Sequence, residues 1–265
     1  MWRALAPTIL RGCISMLSSR YRDRLFVHLL EQTSENVKFR LGFPTMAGLL
    51  QHLRANGFQP TAVVDVGAYV GEWTRLVAPI FPQAPVFMIE ANPQSEATLR
   101  RVQQELGDRA TLTVTLLGPE DKTGVPFYQL GAGSSVLEEL TSFEKTAIRL
   151  PMRTLDGVLG DRLPSEGMLL KLDVQGFELA VLAGASKVLC GTQVVILETA
   201  LLPYNQNAPL FADVVGFLRD AGFLVYDFCG QFRRQSDQTL FQTDVAFARE
   251  DSPLRAHRKF WLHEP

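Results

Sequence analysis

VVDVGAYVGEWT, residues 63–74, is the stretch that decides the fold. Val63, Val64 and Val66 form a short β-branched run, the mark of a strand buried on both faces of a parallel sheet. Asp65 and Gly67 close that run, and Gly71 stands where a helix should begin. Glycine in such a turn tolerates positive φ and lets a ligand approach the backbone closely, while the helix N-terminus offers unpaired N–H groups to an anion. The next apolar run, VFMIE (86–90), ends 19 residues past Gly71 in Glu90. A carboxylate there is placed to accept from two ribose hydroxyls, beyond the carboxyl ends of the strands where ligands of such sheets sit.

The turn also narrows the ligand. A G-x-G-x-x-G fingerprint begun at Gly67 needs Gly at 69 and a small residue at 72. The chain has Tyr69 and Glu72, so the bare backbone that a pyrophosphate requires is missing, against NAD and FAD. No G-x-x-x-x-G-K-[ST] occurs, so there is no P-loop. The D-x-G-x-x-x-G turn with a ribose carboxylate suits S-adenosylmethionine, whose own carboxylate is a single small anion. The plainer alternative is a glycine turn that only packs helix on strand, with a surface glutamate after it.

Outward from this turn the period alternates. Helical spacing covers 5–30 and 44–56, where Gly57 and Pro60 supply the stop. Helices are predicted over 72–79, 94–106, 155–159, 178–189 and 211–221. Strands are predicted over 86–90, 111–117, 168–174, 194–198, 223–228 and 243–248, with short ones near 125–129 and 148–152 in a turn-rich stretch. Strands alternating with helices imply an α/β fold with a mostly parallel sheet. The link between the last two strands is too short for a parallel crossover, so one of them runs antiparallel. The expected organisation is a helical extension over 1–56, one sheet domain over 57–250 and a tail over 251–265.

Composition excludes several classes. With 46% apolar and 20% charged residues, 20 Gly and 15 Pro, the chain is neither disordered nor fibrous. Its net charge of −2 lacks the footprint of a nucleic-acid binder. Residues 1–60 nevertheless carry eight Lys/Arg against three Asp/Glu, an amphipathic basic segment suited to packing on the domain or on a partner, including a second copy in a homodimer; processing as a leader is the alternative. Cys13, Cys190 and Cys229 are scattered, which indicates neither a disulfide framework nor a metal cluster and fits a reducing, cytoplasmic compartment. No segment reaches the roughly 18 apolar residues of a membrane span.

VVDVGAYVGEWT, then IEANP, RTLDGVL (153–159), LLKLDVQGFELAVLAGA (169–185), ILETALLPYN and LFQTDVAFAR (240–249) together resemble the FkbM family of S-adenosylmethionine-dependent methyltransferases. The resemblance spans roughly residues 55–250. It implies a Rossmann-like class I methyltransferase fold, with seven strands and the last antiparallel. It also implies methyl transfer to a hydroxyl of a sugar or other small natural product. Expected cofactor contacts are Asp65, Gly67, Ala68, Tyr69 and Gly71 in the turn, Glu90, Ala91 and Asn92 after the second strand, and Asp173. After the third strand, Gly118 and Asp121 (or Glu120) stand where this class places an acid that accepts from the adenine amino group; a solvated turn is the alternative. Ser134 and Ser135 in GAGSSV resemble a serine-bearing loop near the cofactor. The family block more often has Glu at Gln175 and an aromatic-proline pair at Ala91-Asn92-Pro93.

Chemistry at the hydroxyl needs a base. His28, His52, His257 and His263 all lie outside the methyltransferase block, which leaves Asp173, Glu178 and Glu198, with Lys171 as a fourth polar group. Lys171 and Asp173 alternate along one strand and leave the same sheet face. Asp173 is the expected base, and Glu178 is expected to orient the acceptor or the cofactor's amino group. Their structural alternatives are a helix cap and a first-turn carboxylate. Tyr69 and Trp73 could turn a ring to the sulfonium, with core packing the better reading of Trp73. A catalytically silent adenosyl-binding or interaction module is the alternative function.

Overall fold

The computed structural model describes residues 24, 27–29, 32–138, 140 and 145–256. The chain divides into two compact units, Met1–Phe43 and Pro44–Pro265. In the first, helix α1 (Glu35–Arg40) carries Lys38 and Arg40 in its last turn, where cations complement the helix dipole. Most of the helix expected over 5–30 lies outside the described residues.

The second unit opens with α2 (Met46–Ala55), capped by the Thr45 hydroxyl, which accepts from the Gly48 N–H. Leu49, Leu50 and Leu53 are 0% exposed, so this helix belongs with the sheet rather than with an extension ending at 56. There follow β1 (Val63–Val66), α3 (Glu72–Ile80), β2 (Val86–Glu90), α4 (Glu96–Leu106), β3 (Ala110–Val114), β4 (Leu116–Leu117), β5 (Lys122–Gln129) and β6 (Thr146–Arg153). Then come α5 (Leu155–Leu159), β7 (Met168–Leu172), α6 (Glu178–Ala183), α7 (Ser186–Gly191), β8 (Thr192–Ala200), α8 (Phe211–Asp220), β9 (Phe223–Arg233) and β10 (Leu240–Arg249).

Seven strands form one sheet in the order β3-β2-β1-β7-β8-β10-β9. The first five pair in parallel, and β10 runs antiparallel to both β8 and β9. The order reverses between β1 and β7, which is the switch point. A second sheet, β4-β6-β5, is folded over this end. The main core is apolar sheet residues such as Val64, Leu170 and Val195 against Leu155, Leu182 and Leu218 from helices.

Three expectations change where tertiary contacts outweigh local pattern. The run 111–117 parts at Thr115, whose N–H donates to the Glu90 carbonyl at 2.8 Å; Leu116–Leu117 then pair with β6 in the second sheet. The helix over 178–189 divides at Gly184, where any Cβ would collide with the Gly118 carbonyl. Asp156 supplies the new start, accepting from Lys187 N at 2.9 Å and Val188 N at 3.0 Å. The expected tail is anchored at its start, because the buried Ser252 accepts from Gln193 at 3.1 Å; residues 257–265 lie outside the described ones. Among the described residues no helix is long and apolar enough to cross a membrane.

Burying a leucine side chain is worth about 1.5–3 kcal/mol, and α2 buries three. A chain begun at Gly57 should therefore be less stable than one begun at Pro44 by more than about 4 kcal/mol, read from urea midpoints of the two. Equal midpoints would refute the assignment of α2 to the sheet unit.

Candidate functional site

The register of the sheet sets a transverse row of polar groups. Asp65 on β1 pairs with Lys171 on β7, Lys171 with Ile196 on β8, and Ile196 with Ala246 on β10. Two residues further along, on the same face, stand Glu90, Gly67, Asp173 and Glu198. Glu198 lies directly opposite Asp244, and Asp244 opposite Gly230. Four carboxylates thus cross one end of the sheet, at the carboxyl ends of β2, β7 and β8 and in the amino-terminal half of the antiparallel β10.

Lys171 is the cation set into this row. Lys171 Nζ lies 3.3 Å from Asp65 Oδ1 and 3.7 Å from Asp173 Oδ2, and donates to the Gly67 carbonyl at 3.1 Å. Burial opposes its charge, but Asp65 and Asp173 outweigh that cost and hold the ammonium above the ordinary lysine range. Asp65 is 0% exposed, and its other oxygen accepts from Thr74 Oγ1 at 2.7 Å. Asp65 and Lys171 therefore brace the turn from behind and do not line the cavity. Trp73 lies beside them, its ring centroid 5.9 Å from Lys171 Nζ.

In front, Glu90 holds the turn open. Its two oxygens accept from Tyr69 N and Asn92 N, each at 2.7 Å. Tyr69 takes φ +47° and Gln175 φ +56°, left-handed conformations that cost a non-glycine residue roughly 1–3 kcal/mol each. Both face one cavity of about 240 Å³, lined also by Gly67, Glu90, Ala91, Asp173, Ser134 and Glu198. Its apolar walls are Leu116, Leu117, Phe127, Val136 and Phe177. Gln175 bridges two carboxylates: its Nε2 donates to Asp173 Oδ1 at 2.8 Å and Glu198 Oε1 at 3.0 Å. The Gln175 carbonyl is held in turn by Ser135 Oγ and Asn205 Nδ2.

Several residues expected at the cavity lie elsewhere. Gly118 and Asp121 are carried away when β4 joins the second sheet; Asp121 accepts from Thr154 N at 3.0 Å, and Thr115, Leu116 and Leu117 form the wall instead. Ala68 is buried below the turn, and Gly71 packs against Val102. Asn92 stands behind Glu90, its Oδ1 accepting from Gln94 N and Gln129 Nε2. Glu178, 2% exposed, accepts from Val174 N at 2.9 Å and Gly176 N at 3.2 Å, so it shapes the 173–177 loop rather than facing the main cavity. Glu178 is also the first-turn carboxylate of α6, whereas Asp173 does not cap that helix, whose N-cap is Phe177.

Burial raises the Glu178 carboxyl to about 7. It raises Glu198 too, reinforced by Asp173, Glu178 and Asp244, and lifts Asp244 to about 6, with Asp173 adding to the effect. Glu90 is raised by burial, partly offset by its two N–H donors. Asp244 escaped sequence reasoning because only the β8–β10 register brings it beside Glu198. A second groove of about 550 Å³ begins there and shares Ala132, Gln175 and Glu198 with the first cavity. Among the described residues no grouping of His, Cys, Asp and Glu could hold a metal ion.

The family model described as the methyltransferase FkbM domain matches residues 65–225, more than half of the chain. Among solved structures, the chain is similar to methyltransferase FkbM from Methylobacillus flagellatus KT, with 17% identity over 71% of this chain and 43% of that one and a TM-score of 0.48. It spans less than half the length of that protein. It is also similar to an O-methyltransferase family protein from Burkholderia thailandensis (12% identity, 77% and 55% covered, TM-score 0.46). A third is the 1,6-didemethyltoxoflavin-N1-methyltransferase of that organism, solved with S-adenosylhomocysteine (10% identity, 89% and 92% covered, TM-score 0.44). No curated protein matches the sequence.

Two stability measurements probe the supports. Lys171→Met should cost about 3–5 kcal/mol in urea unfolding, since it strands a buried carboxylate; Asp65→Asn/Lys171→Met should lose less, and an equal or larger loss would count against the pairing. Glu178, normally near 4.5 and here about 7, keeps its proton in the folded state over a window where the unfolded chain has released it. Folding stability should therefore fall as pH rises from about 4.5 to 7, by up to roughly 3 kcal/mol from this group. Glu178→Gln should flatten that slope, and an unchanged slope would reassign it.

Proposed function

The chain belongs to the methyltransferase FkbM family, and on that premise we propose that it transfers a methyl group from S-adenosylmethionine to a hydroxyl oxygen of a small acceptor. The observation that carries this reading is the Glu90 cradle: a strand-end cavity, walled by a carboxylate and a left-handed turn, that opens into a second groove.

The donor set fits the methyl donor. Glu90 keeps lone pairs beyond those given to Tyr69 N and Asn92 N, suited to vicinal hydroxyls. Leu116, Leu117, Phe127 and Phe177 suit a flat purine, and Asp173 and Glu198 suit a cation. Tyr69, 39% exposed, stands where a pyrophosphate would need bare backbone. When bound, S-adenosylmethionine supplies an electrophilic methyl carbon on a sulfonium.

The acceptor's hydroxyl needs only positioning and removal of its proton. Orientation can supply about 7–11 kcal/mol and a placed base roughly 10²–10⁴-fold. We assign the base to Glu198 rather than Asp173. Glu198 borders both cavities, and Gln175 and Gln242 donate to its Oε1 at 3.0 and 2.7 Å, leaving the second oxygen for the proton. Its raised pKa makes it a stronger base than an ordinary carboxylate. Asp173 is committed to Lys171 and Gln175 and works as a positioning residue.

Calorimetric titration should give micromolar binding of S-adenosylhomocysteine and none of NAD; the reverse would end the proposal. Glu90→Ala should weaken that binding by about 1.5–3 kcal/mol, roughly tenfold to a hundredfold. It should also lower the melting temperature of the ligand-free protein, because Tyr69 N and Asn92 N lose their acceptor.

With an acceptor found by a one-methyl mass shift, Glu198→Gln should reduce turnover at least about 10²-fold while cofactor affinity changes less than about tenfold. Loss in Asp173→Asn with Glu198→Gln active would exchange the two roles. Cofactor binding without transfer to any acceptor would favour the silent module.

A further inference from the structure

The groove beside the cofactor cavity has a charge character of its own. Three rings line it: Tyr204 and Phe241 meet edge to face with centroids 5.1 Å apart, and Phe232 lies 6.2 Å from Phe241. Phe232 is 59% exposed, a large apolar surface held in water at the rim. Between the rings and the cofactor cavity stand the amide of Gln242 and the carboxylates of Glu198 and Asp244. Gly230, opposite Asp244, leaves the space its carboxylate fills, since any Cβ there would collide with Asp244 Oδ2.

Neither lysine nor arginine lines this groove among the described residues. The cation closest in the row, Lys171, is committed to Asp65, Asp173 and the Gly67 carbonyl. Glu198 and Asp244 therefore face each other across β8 and β10 with only the attraction of the more distant Lys171 to offset their repulsion, an arrangement that destabilises a sheet. An ammonium relieves it, donates hydrogen bonds to both carboxylates, and is attracted by the faces of neighbouring rings. A phosphate or carboxylate would meet like charge with no donor cation to offset it.

We infer that this groove receives the methyl acceptor and selects one that carries an amine beside its hydroxyls, of the size of an aminosugar, while rejecting phosphorylated and carboxylated compounds. The inference rests on the methyl-transfer reading for the identity of the groove, and names the substrate class of that site. Rings pack on the apolar face of the acceptor, Gln242 bonds its hydroxyls, and Asp244 fixes the ammonium so that a hydroxyl lies toward Glu198.

The test measures dissociation constants of glucosamine, methyl glucoside and glucose 6-phosphate on the full chain, with and without saturating S-adenosylhomocysteine. Glucosamine should bind about tenfold tighter than methyl glucoside, the worth of one charge-assisted hydrogen bond, and glucose 6-phosphate should not bind measurably. Asp244→Asn should reduce the amine advantage to within about twofold with S-adenosylhomocysteine affinity unchanged. Phe232→Ala, at an exposed position, should weaken glucosamine and methyl glucoside alike. Glucose 6-phosphate binding as tightly as glucosamine, an amine advantage that survives Asp244→Asn, or no binding of any of the three would overturn the inference. If S-adenosylhomocysteine fails to bind while glucosamine keeps its Asp244-dependent advantage, the methyl-transfer reading falls and the amine site stands.

Discussion

One buried ammonium ties the cavity end of the sheet together. Lys171 reaches from β7 to Asp65 on β1, to the Gly67 carbonyl in the turn and to Asp173 in the loop beyond β7. Through Asp65 and Thr74 the same network reaches α3. Stability alone does not explain such an arrangement, because a well-packed apolar replacement is often equal or better. Its consequence is geometric: the two loops that wall the cavity, 67–71 and 173–177, are fixed to one charge. That charge also sets the balance of the site, since among the described residues no lysine or arginine lines the groove beside Glu198 and Asp244 further along the row.

Both loops store backbone strain and are held by opposite means. Tyr69 at φ +47° is held from in front by Glu90, which accepts its N–H. Gln175 at φ +56° is held from behind by its carbonyl, which accepts from Ser135 and Asn205. Each hydrogen bond of this kind contributes roughly 0.5–1.5 kcal/mol, more where a charge is involved, comparable with the strain itself. Gln175 at this position has a second consequence. Its amide donates to Asp173 and Glu198 at once, which a glutamate side chain, lacking donors when ionised, could not do.

The sheet was legible because its signals are local. The β-branched run before Gly67, the acid ending β2 and the short final hairpin each need only a few neighbouring residues, and they led to a mostly parallel sheet with an antiparallel last strand. What escaped needed contacts distant in sequence. TLTVTLL reads as one strand until β6 claims Leu116 and Leu117, and the same departure removes Gly118 and Asp121 from the cavity. The break at Gly184 depends on Asp156, some 30 residues earlier, capping α7. Helical period revealed α2 but not its partner. Asp65, Lys171, Glu178 and Asn92 were singled out as polar residues near strand ends, yet which of them face the cavity follows from hydrogen bonds that no spacing specifies.

The acidic row looks unstable as a set of full charges, and the pKa directions explain how the fold tolerates it. Glu90, Glu178, Glu198 and Asp244 are all raised, burial being the largest cause in each case. Burial and crowding both favour the protonated forms of these carboxyls, which lessens the cost of setting them side by side. A carboxyl whose pKa is raised by burial and by its neighbours is also a stronger base, once ionised, than an ordinary carboxylate. The repulsion adds to the effect of burial at Glu198 and Asp244, so the crowding that makes the row costly in the sheet also contributes to the basicity available at the junction of the two cavities.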